Sequence, residues 1–237
     1  TMQDADGDKS AAKLTIKING ADDSSTVVTA SAQGADGTVY EAGLPGGSDA
    51  AADSETTAGT FTVSATDGIA NVVIGGQAFT LAQVQAFDGT QTVDTGEGTL
   101  TLTGYSGTAF GGTVSYSYTL KATIDNDSHA GATPTEFDDS VVLTVDGIGG
   151  TTASDNLMIR IVDDVPTATN DGLLKTVDDN ASGVVIGTTA QLLANDHYGA
   201  DGAAPTAALT IGTGSLGGAI TIDGSGNLLY TSHYDVK

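Results

Sequence analysis

The chain of 237 residues carries 30 Asp and Glu against seven Lys and Arg, a formal charge of −23, and contains no cysteine or tryptophan. The missing cysteines exclude a disulfide framework and a thiolate metal site, and the negative charge argues against nucleic acid, whose phosphates are bound by Lys and Arg. No apolar run approaches the roughly 20 residues of a membrane span, so we expect no membrane insertion. With 39 % hydrophobic but only 5 % aromatic residues, the composition favours thin sheets over a large enzyme core.

Alternation of apolar residues with Thr, Ser or a basic residue predicts strands that have one buried and one solvated face. In chain order, the segments with this pattern are residues 14–18, 60–64, 100–103, 114–120, 141–145, 157–161 and 220–222. Glycine-rich turns such as Gly75-Gly76 and Gly111-Gly112 separate them, and residues 81–87 suit a helical turn or two. Short strands punctuated by turns predict an all-β fold built of antiparallel β-sandwiches.

An internal repeat divides the chain. Leu14-Thr-Ile-Lys-Ile18, followed by Asp22-Asp23, returns 143 residues later as Leu157-Met-Ile-Arg-Ile161, followed by Asp163-Asp164. Repeats on this scale indicate stacked domains. We therefore predict the closing hairpin or strand of a neighbouring module in residues 1–21, one complete module in residues 22–165, and an incomplete module in residues 166–237.

Short runs of Asp with Asn and Gly supply the oxygen ligands that hard cations such as Ca²⁺ prefer. The candidates are Asp4, Asp6 and Asp8 near the start of the chain; the pairs Asp22/Asp23 and Asp163/Asp164 at the predicted junctions; Asp125 and Asp127 with Asp138 and Asp139 across a polar loop; and Asp178 with Asp179. The first cluster begins as an EF-hand loop does, but the twelfth position is Thr15 instead of Glu, which excludes an EF-hand. For every cluster the alternative is a solvated Asp-rich turn.

Several strings in the predicted complete module follow one another in a characteristic order. They are Tyr40-Glu-Ala-Gly-Leu-Pro-Gly-Gly-Ser48, Gly59-Thr-Phe-Thr-Val-Ser-Ala-Thr-Asp-Gly-Ile69, Gly98-Thr-Leu-Thr-Leu-Thr-Gly-Tyr105, Tyr116-Ser-Tyr-Thr-Leu120 and Ile161-Val-Asp-Asp-Val-Pro166. This order resembles the long repeat of giant type I-secreted, RTX-like bacterial adhesins. Asp4-Ala-Asp-Gly-Asp8, Leu192-Leu-Ala-Asn-Asp196 and Gly199-Ala-Asp-Gly202 are similar to parts of the related VCBS and cadherin-like modules.

The resemblance implies tandem Ig-like or cadherin-like antiparallel β-sandwich modules with calcium at their junctions. It also implies an extracellular protein, on the cell surface or in a secreted matrix, whose partners are neighbouring repeats or other copies of itself. Roles in surface attachment and biofilm matrix follow from the same resemblance.

No constellation of catalytic residues stands out, so we expect no enzyme. The sequence predicts a calcium-stabilised extender of an extracellular adhesin or matrix fibre. One further hypothesis is strand complementation, in which residues 1–20 of one copy complete residues 166–237 of the next. A different hypothesis is a calcium-dependent carbohydrate-binding module that contacts surface glycans.

Overall fold

The computed structural model describes residues 1–17, 25–28, 36–205, 209–212 and 214–233. The strands are β1 (Met2–Gln3), β2 (Lys9–Ser10), β3 (Ser25–Val28), β4 (Gly37–Tyr40), β5 (Thr56–Ala65), β6 (Ile69–Ile74), β7 (Gln77–Thr80), β8 (Gln91–Asp94), β9 (Gly98–Gly107), β10 (Gly111–Leu120), β11 (Glu136–Gly147), β12 (Thr152–Val162), β13 (Val184–Thr188), β14 (Ala219–Ile222) and β15 (Asn227–Thr231). Helical segments of the described residues are α1 (Leu81–Gln85), α2 (Thr189–Leu192) and the 3-10 turns Glu41–Gly43 and Leu193–Asn195. Neither α-helix is long or apolar enough to cross a membrane.

Two five-stranded sheets form a sandwich, in the orders β3-β5-β10-β9-β8 and β4-β12-β11-β6-β7. Neighbouring strands are antiparallel except β4, which runs parallel to β12. The inward side chains form one hydrophobic core that includes Phe61, Tyr116, Leu143 and Ile159. The predicted all-β fold of antiparallel β-sandwich type is confirmed, with the β4–β12 pair as a parallel exception.

Local sequence explains where the elements of the sandwich begin and end. The short helix α1 starts at Thr80, whose side chain caps it together with Gln83 in a capping box, and it falls within the predicted residues 81–87. Gly111 and Gly112 open β10 instead of making the predicted turn. A Cβ on residue 112 would lie 2.6 Å from the Tyr105 ring, so glycine is required there by close packing across the β9–β10 hairpin.

A smaller sheet of order β13-β15-β14 follows the sandwich. Among the described residues beyond 165, the buried apolar side chains are Ala181 and Leu228 alone, whereas Val185 and Ile222 are 45 % and 40 % exposed. Three strands with so little covered apolar surface form a weak core. The domain boundaries drawn from the sequence stay a prediction.

The start of the chain forms a β1–β2 hairpin, and residues 11–17 then run without secondary structure. Leu14 and Ile16 are 82 % and 73 % exposed. The strand predicted over residues 14–18 is therefore wrong for its described part, because no sheet adjoins it in the described structure. Ile18 lies outside the described residues.

Candidate metal site at the module junction

The segment that follows β12 is fastened to the sandwich at two consecutive residues. The backbone N–H of Asp163 donates to the Thr135 carbonyl at 3.0 Å. The buried Asp164 carboxylate accepts the backbone N–H of Ser48 at 2.7 Å and its hydroxyl at 2.6 Å. Since a carboxylate with two short hydrogen bonds is held firmly, the linker leaves the sandwich in a fixed direction.

The next unit folds back onto this linker. Thr167 and His197 exchange two backbone hydrogen bonds of 2.8 and 2.9 Å. Gly199 then adopts φ +81°, and a Cβ there would lie 1.7 Å from the Asp164 carbonyl oxygen. Only glycine permits this approach. It lets Ala200 pack against the sandwich core and carries Asp201 to the linker.

Three carboxylates meet where the sandwich, the linker and the following unit come together. Glu41, Asp163 and Asp201 each offer an oxygen, and these atoms lie within 4.8 Å of one another. Glu41 opens the 3-10 turn after β4 and is 0 % exposed. Its Oε1 accepts the Ile124 N–H at 2.7 Å, while its buried Oε2 has no hydrogen-bond partner among the described residues. The cluster therefore holds a buried acceptor oxygen without a hydrogen-bond partner of normal geometry, next to the backbone of Asp164 and the carboxyl of Asp163.

The three carboxylates of this cluster repel one another, because no basic side chain of the described residues pairs with them. Burial raises the pKa of Glu41 to about 7, and the charges of Asp201 and Asp163 add to the rise, although hydrogen bonds from the backbone of Ile124 and of Asp164 oppose it. Burial and then Asp201 also raise the pKa of Asp163. None of the ion pairs in the described part of the chain includes any of these three carboxylates. A proton or a cation would relieve the resulting repulsion.

An open cleft of about 720 Å³ lies beside the cluster. Its walls include Asp125 and Asp127 from the loop after β10, and Tyr198 from the following unit. Asp125 accepts the hydroxyl and the N–H of Ser128, and these bonds hold the pKa of Asp125 below its usual value. Asp125 is thus committed to its own turn, although it also faces the cleft.

The predicted pair Asp138 and Asp139 is separated by the alternation of β11. Asp138 makes a forked hydrogen-bonded ion pair with Arg160, at 3.0 and 3.2 Å. Asp139 is buried and accepts the hydroxyls of Tyr118 at 2.7 Å and Thr95 at 2.6 Å. Burial and then this hydrogen bond raise the pKa of Tyr118. Neither residue joins Asp125 and Asp127 in a cluster of metal-ligand spacing within the described structure.

The carboxylates of Asp4, Asp6 and Asp8 do come together, on the exposed tip of the β1–β2 hairpin. Hydrogen bonds with the Asp6 side chain and then the Asp8 backbone hold the pKa of Asp4 below its usual value. The Asp8 N–H donates to Asp4 Oδ1 at 2.8 Å. All of these groups are open to solvent, so this cluster differs from the junction in having no buried acceptor without a partner.

The remaining predicted residues either lie away from the junction or fall outside the part of the chain that the structure describes. Asp178 and Asp179 are exposed in the turn that precedes β13. Asp22 and Asp23 lie outside the described residues.

Two residues of the junction cluster, Glu41 and Asp201, were not predicted from the sequence, because the prediction was based on runs of Asp. Glu41 is a lone acid among small and apolar residues, and Asp201 is a lone acid in a glycine-flanked loop; a charge in an apolar stretch was the available signal.

No family model matches the chain, and no curated protein matches it. The extracellular domain of protocadherin gammaB4 is a similar solved structure, with 12 % sequence identity and a TM-score of 0.31. The match covers 90 % of this chain, which spans 28 % of the length of that one. The resemblance of the sequence strings to bacterial adhesin repeats stays a prediction.

Proposed function

We propose that the chain is a calcium-stabilised structural segment of a bacterial extracellular adhesin or biofilm-matrix fibre, in which one Ca²⁺ ion fixes the sandwich to the unit that follows it. The observation that carries this proposal is the buried Glu41 carboxylate, whose Oε2 has no partner and which meets Asp163 and Asp201. A buried charge without a partner is strongly unfavourable unless a proton or a cation balances it.

The chemistry of the three residues suits calcium. All of the donor atoms are carboxylate oxygens, and Ca²⁺ takes about six to eight oxygen ligands in flexible geometry, including bidentate carboxylates, backbone carbonyls and water. Mg²⁺ demands near-ideal octahedral geometry and gives up its water reluctantly, so a cluster of protein carboxylates favours Ca²⁺. Glu41, Asp163 and Asp201 would hold the ion, and it would neutralise their mutual repulsion.

The origin of the ligands gives the ion a mechanical role. Glu41 belongs to the sandwich, Asp163 to the linker and Asp201 to the following unit, so an ion bound by all three couples the modules. With the ion, the angle between the modules is fixed and the chain is a stiff spacer. Without it, the carboxylates repel and the junction loosens.

The extracellular and bacterial parts of this proposal have separate support. Extracellular calcium-binding modules work with dissociation constants of about 10⁻⁴–10⁻³ M, which a site of three carboxylates beside an open cleft suits. The adhesin and matrix role is supported by the sequence strings of residues 40–166 that resemble adhesin repeats.

Thermal unfolding tests the proposal. The wild-type chain and Glu41→Gln are compared in calcium, in magnesium and in chelator. At calcium roughly twenty times above the dissociation constant, we expect a stabilisation of about 2 kcal/mol, which is a rise of several degrees in melting temperature. Glu41→Gln loses this rise, because the amide cannot supply the charge.

The matched control is Asp155→Asn, which removes an exposed carboxylate of β12 far along the strand from the linker. It should keep the full response to calcium. A wild-type melting temperature that is the same in calcium and in chelator would contradict the proposal, as would an equal response in Glu41→Gln.

The cleft favours a second candidate function, calcium-dependent binding of carbohydrate. Tyr198 lines the cleft beside Asp163 and Asp201, where an aromatic ring could stack on a sugar whose hydroxyls complete the coordination of the ion. A glycan array probed in calcium and in chelator distinguishes the two functions. Binding that needs calcium and is lost in Tyr198→Ala would favour the carbohydrate function, and an array without calcium-dependent binding would reject it.

A further inference from the structure

Residues 9–17 form a short segment whose chemistry is unlike that of the rest of the chain. Lys9, Lys13 and Lys17 are three of the seven Lys and Arg residues, and the segment contains no acidic residue. Leu14 and Ile16 alternate with polar positions and are 82 % and 73 % exposed. The segment is therefore positively charged and apolar along one face, and its residues 11–17 lie outside any sheet of the described structure.

The second copy of this pattern shows what such a segment does when a sheet is available. In β12, Leu157 and Ile159 are 0 % exposed because β11 and β4 flank the strand and the opposite sheet covers it. An apolar–polar alternation of this kind gains its stability from pairing along a sheet edge and from burial of its apolar face. Residues 14–17 have the pattern but lie outside any sheet of the described structure.

The three-stranded sheet beyond the sandwich offers what the segment lacks. β14 (Ala219–Ile222) lies at an edge of that sheet and pairs with β15 alone among the described strands. Ile222 is 40 % exposed on it. The described backbone hydrogen bonds leave the outer side of β14 unpaired, which makes it a template for one more strand.

Charge selects the occupant of this edge. Residues 166–233 contain six Asp and no Glu against the single Lys175, and one of these Asp residues, Asp223, directly follows β14, so the unit that holds this edge is acidic. In a chain with so few cations, the basic residues 9–17 are the complementary partner that the protein itself supplies. Opposite charges of this type steer and orient association.

We propose that residues 9–17 of one copy add as a strand to the β14 edge of a second copy. The donor and acceptor surfaces differ, so each copy keeps a free donor and a free acceptor, and the contact propagates as an open head-to-tail chain of molecules. Backbone hydrogen bonds supply the pairing, and Leu14 and Ile16 cover the apolar face that β14 and β15 leave open. The proposal does not depend on the calcium site.

Sedimentation velocity over a range of protein concentrations tests this assembly. The wild-type chain should form species of increasing size as concentration rises, and sodium chloride should weaken them because the contact is between opposite charges. The double variant Leu14→Asp with Ile16→Asp should remain monomeric. Both residues are exposed, so the variant should melt at the wild-type temperature.

Variants on the acceptor side complete the test. Ile222→Lys places a positive charge where the basic segment docks and should abolish association. Val142→Lys is the matched control: it adds the same charge at an apolar residue that is 51 % exposed on the sandwich, and it should associate as the wild type does. A labelled peptide of residues 9–17 should bind the Leu14→Asp, Ile16→Asp variant and fail to bind when Ile222→Lys is added to it.

Three outcomes would overturn the proposal. A wild-type chain that is monomeric at all concentrations and binds no peptide has no such contact. Association that persists in the donor variant uses another surface. A monomeric wild-type chain whose donor variant binds the peptide docks the segment within its own molecule, and not on a second copy. Each readout is molecular size or peptide binding in chelator, so failure here leaves the calcium proposal standing.

Discussion

The same five-residue pattern occurs twice in this chain and has two different outcomes. In β12, Leu157 and Ile159 are fully buried, whereas Leu14 and Ile16 are among the most exposed apolar side chains of the described structure. The difference lies in the surroundings, because β12 is flanked by β11 and β4 and residues 11–17 have no neighbouring strand there. Alternation therefore encodes the ability to join a sheet, and the available partner decides whether the segment is buried.

The comparison extends to the basic residue at the fourth position of each pattern. In β12 the Arg160 guanidinium lies opposite Asp138, forks onto its carboxylate and reaches Glu136 at 3.4 Å. Lys17 occupies the matching place in the first copy and has no ion pair among the described residues. A partner strand thus supplies both the apolar cover and the counter-charge.

The largest expected effect separates the two copies directly. Ile159→Ala removes a fully buried side chain from the sandwich core and should lower the free energy of unfolding by about 2–4 kcal/mol, through lost burial and a cavity. Ile16→Ala, the same substitution in the exposed copy, should change it by less than about 0.5 kcal/mol. Chemical denaturation of dilute protein measures both, and equal losses would show that residues 14–17 are buried in solution.

A second prediction concerns the junction that follows β12, where the buried Glu41 makes the stability of the protein depend on pH. The pKa of Glu41 in the folded state is about 7, above its ordinary value of 4.5. Between these two pH values the folded state therefore keeps a proton that the unfolded state has lost. The stability that this proton supplies is complete below about pH 4.5 and declines as pH rises through 7, by at most on the order of 3 kcal/mol.

Melting temperatures measured across this pH range in chelator should therefore fall as the pH rises. Calcium should remove the fall, because the ion takes the place of the proton at the carboxylate. Glu41→Gln carries no titrating group and should show a flatter profile in chelator. A wild-type profile in chelator that rises over the same range would contradict the assignment of Glu41.

A third prediction tests how the following unit reaches the linker. Gly199→Ala should push the loop away from the Asp164 carbonyl, displace Asp201 and abolish most of the calcium-induced rise in melting temperature, about 2 kcal/mol. Gly202→Ala is the matched control: residue 202 also has a positive φ, of +72°, but no atom lies within 4 Å of an added Cβ. Its backbone strain is similar, so it should lower stability slightly and keep the calcium response.

The smallest expected effect again contrasts the two copies. Arg160→Met removes a half-exposed ion pair and should lower the melting temperature by less than Ile159→Ala does, because solvent screens such pairs. Lys17→Met should leave the melting temperature unchanged. High salt should reduce the cost of Arg160→Met, and a cost that is independent of salt would indicate lost packing of the side chain instead of lost charge.

The strand pattern was the most predictable property of the fold. The alternating segments from residue 60 onward all lie within strands, and each of them pairs with a neighbouring strand. Residues 14–17 are the exception, since period-two alternation does not show whether a sheet is present to receive the segment. The parallel pairing of β4 with β12 and the role of Gly112 depend on contacts between distant segments, which a single sequence does not reveal.

The candidate site was predictable only in part. Asp163 was found because it closes a repeated strand. Glu41 and Asp201 were missed because each is a lone acid, brought to the junction by a 3-10 turn and by the close approach at Gly199. Asp138 and Asp139 are the opposite case, because their adjacency in the sequence suggests a ligand pair. The strand places their side chains on opposite faces, where Asp139 accepts hydrogen bonds from Thr95 and Tyr118 and Asp138 accepts two from Arg160.

Calorimetric titration of the calcium-free chain with calcium tests the junction site most directly. We expect Glu41→Gln to lose one binding event that the wild-type chain shows, and Asp6→Asn, in the exposed hairpin cluster, to retain it. If the wild-type chain and Glu41→Gln bind calcium with the same stoichiometry and affinity, the buried carboxylate does not hold the ion, and the calcium-locked junction is wrong.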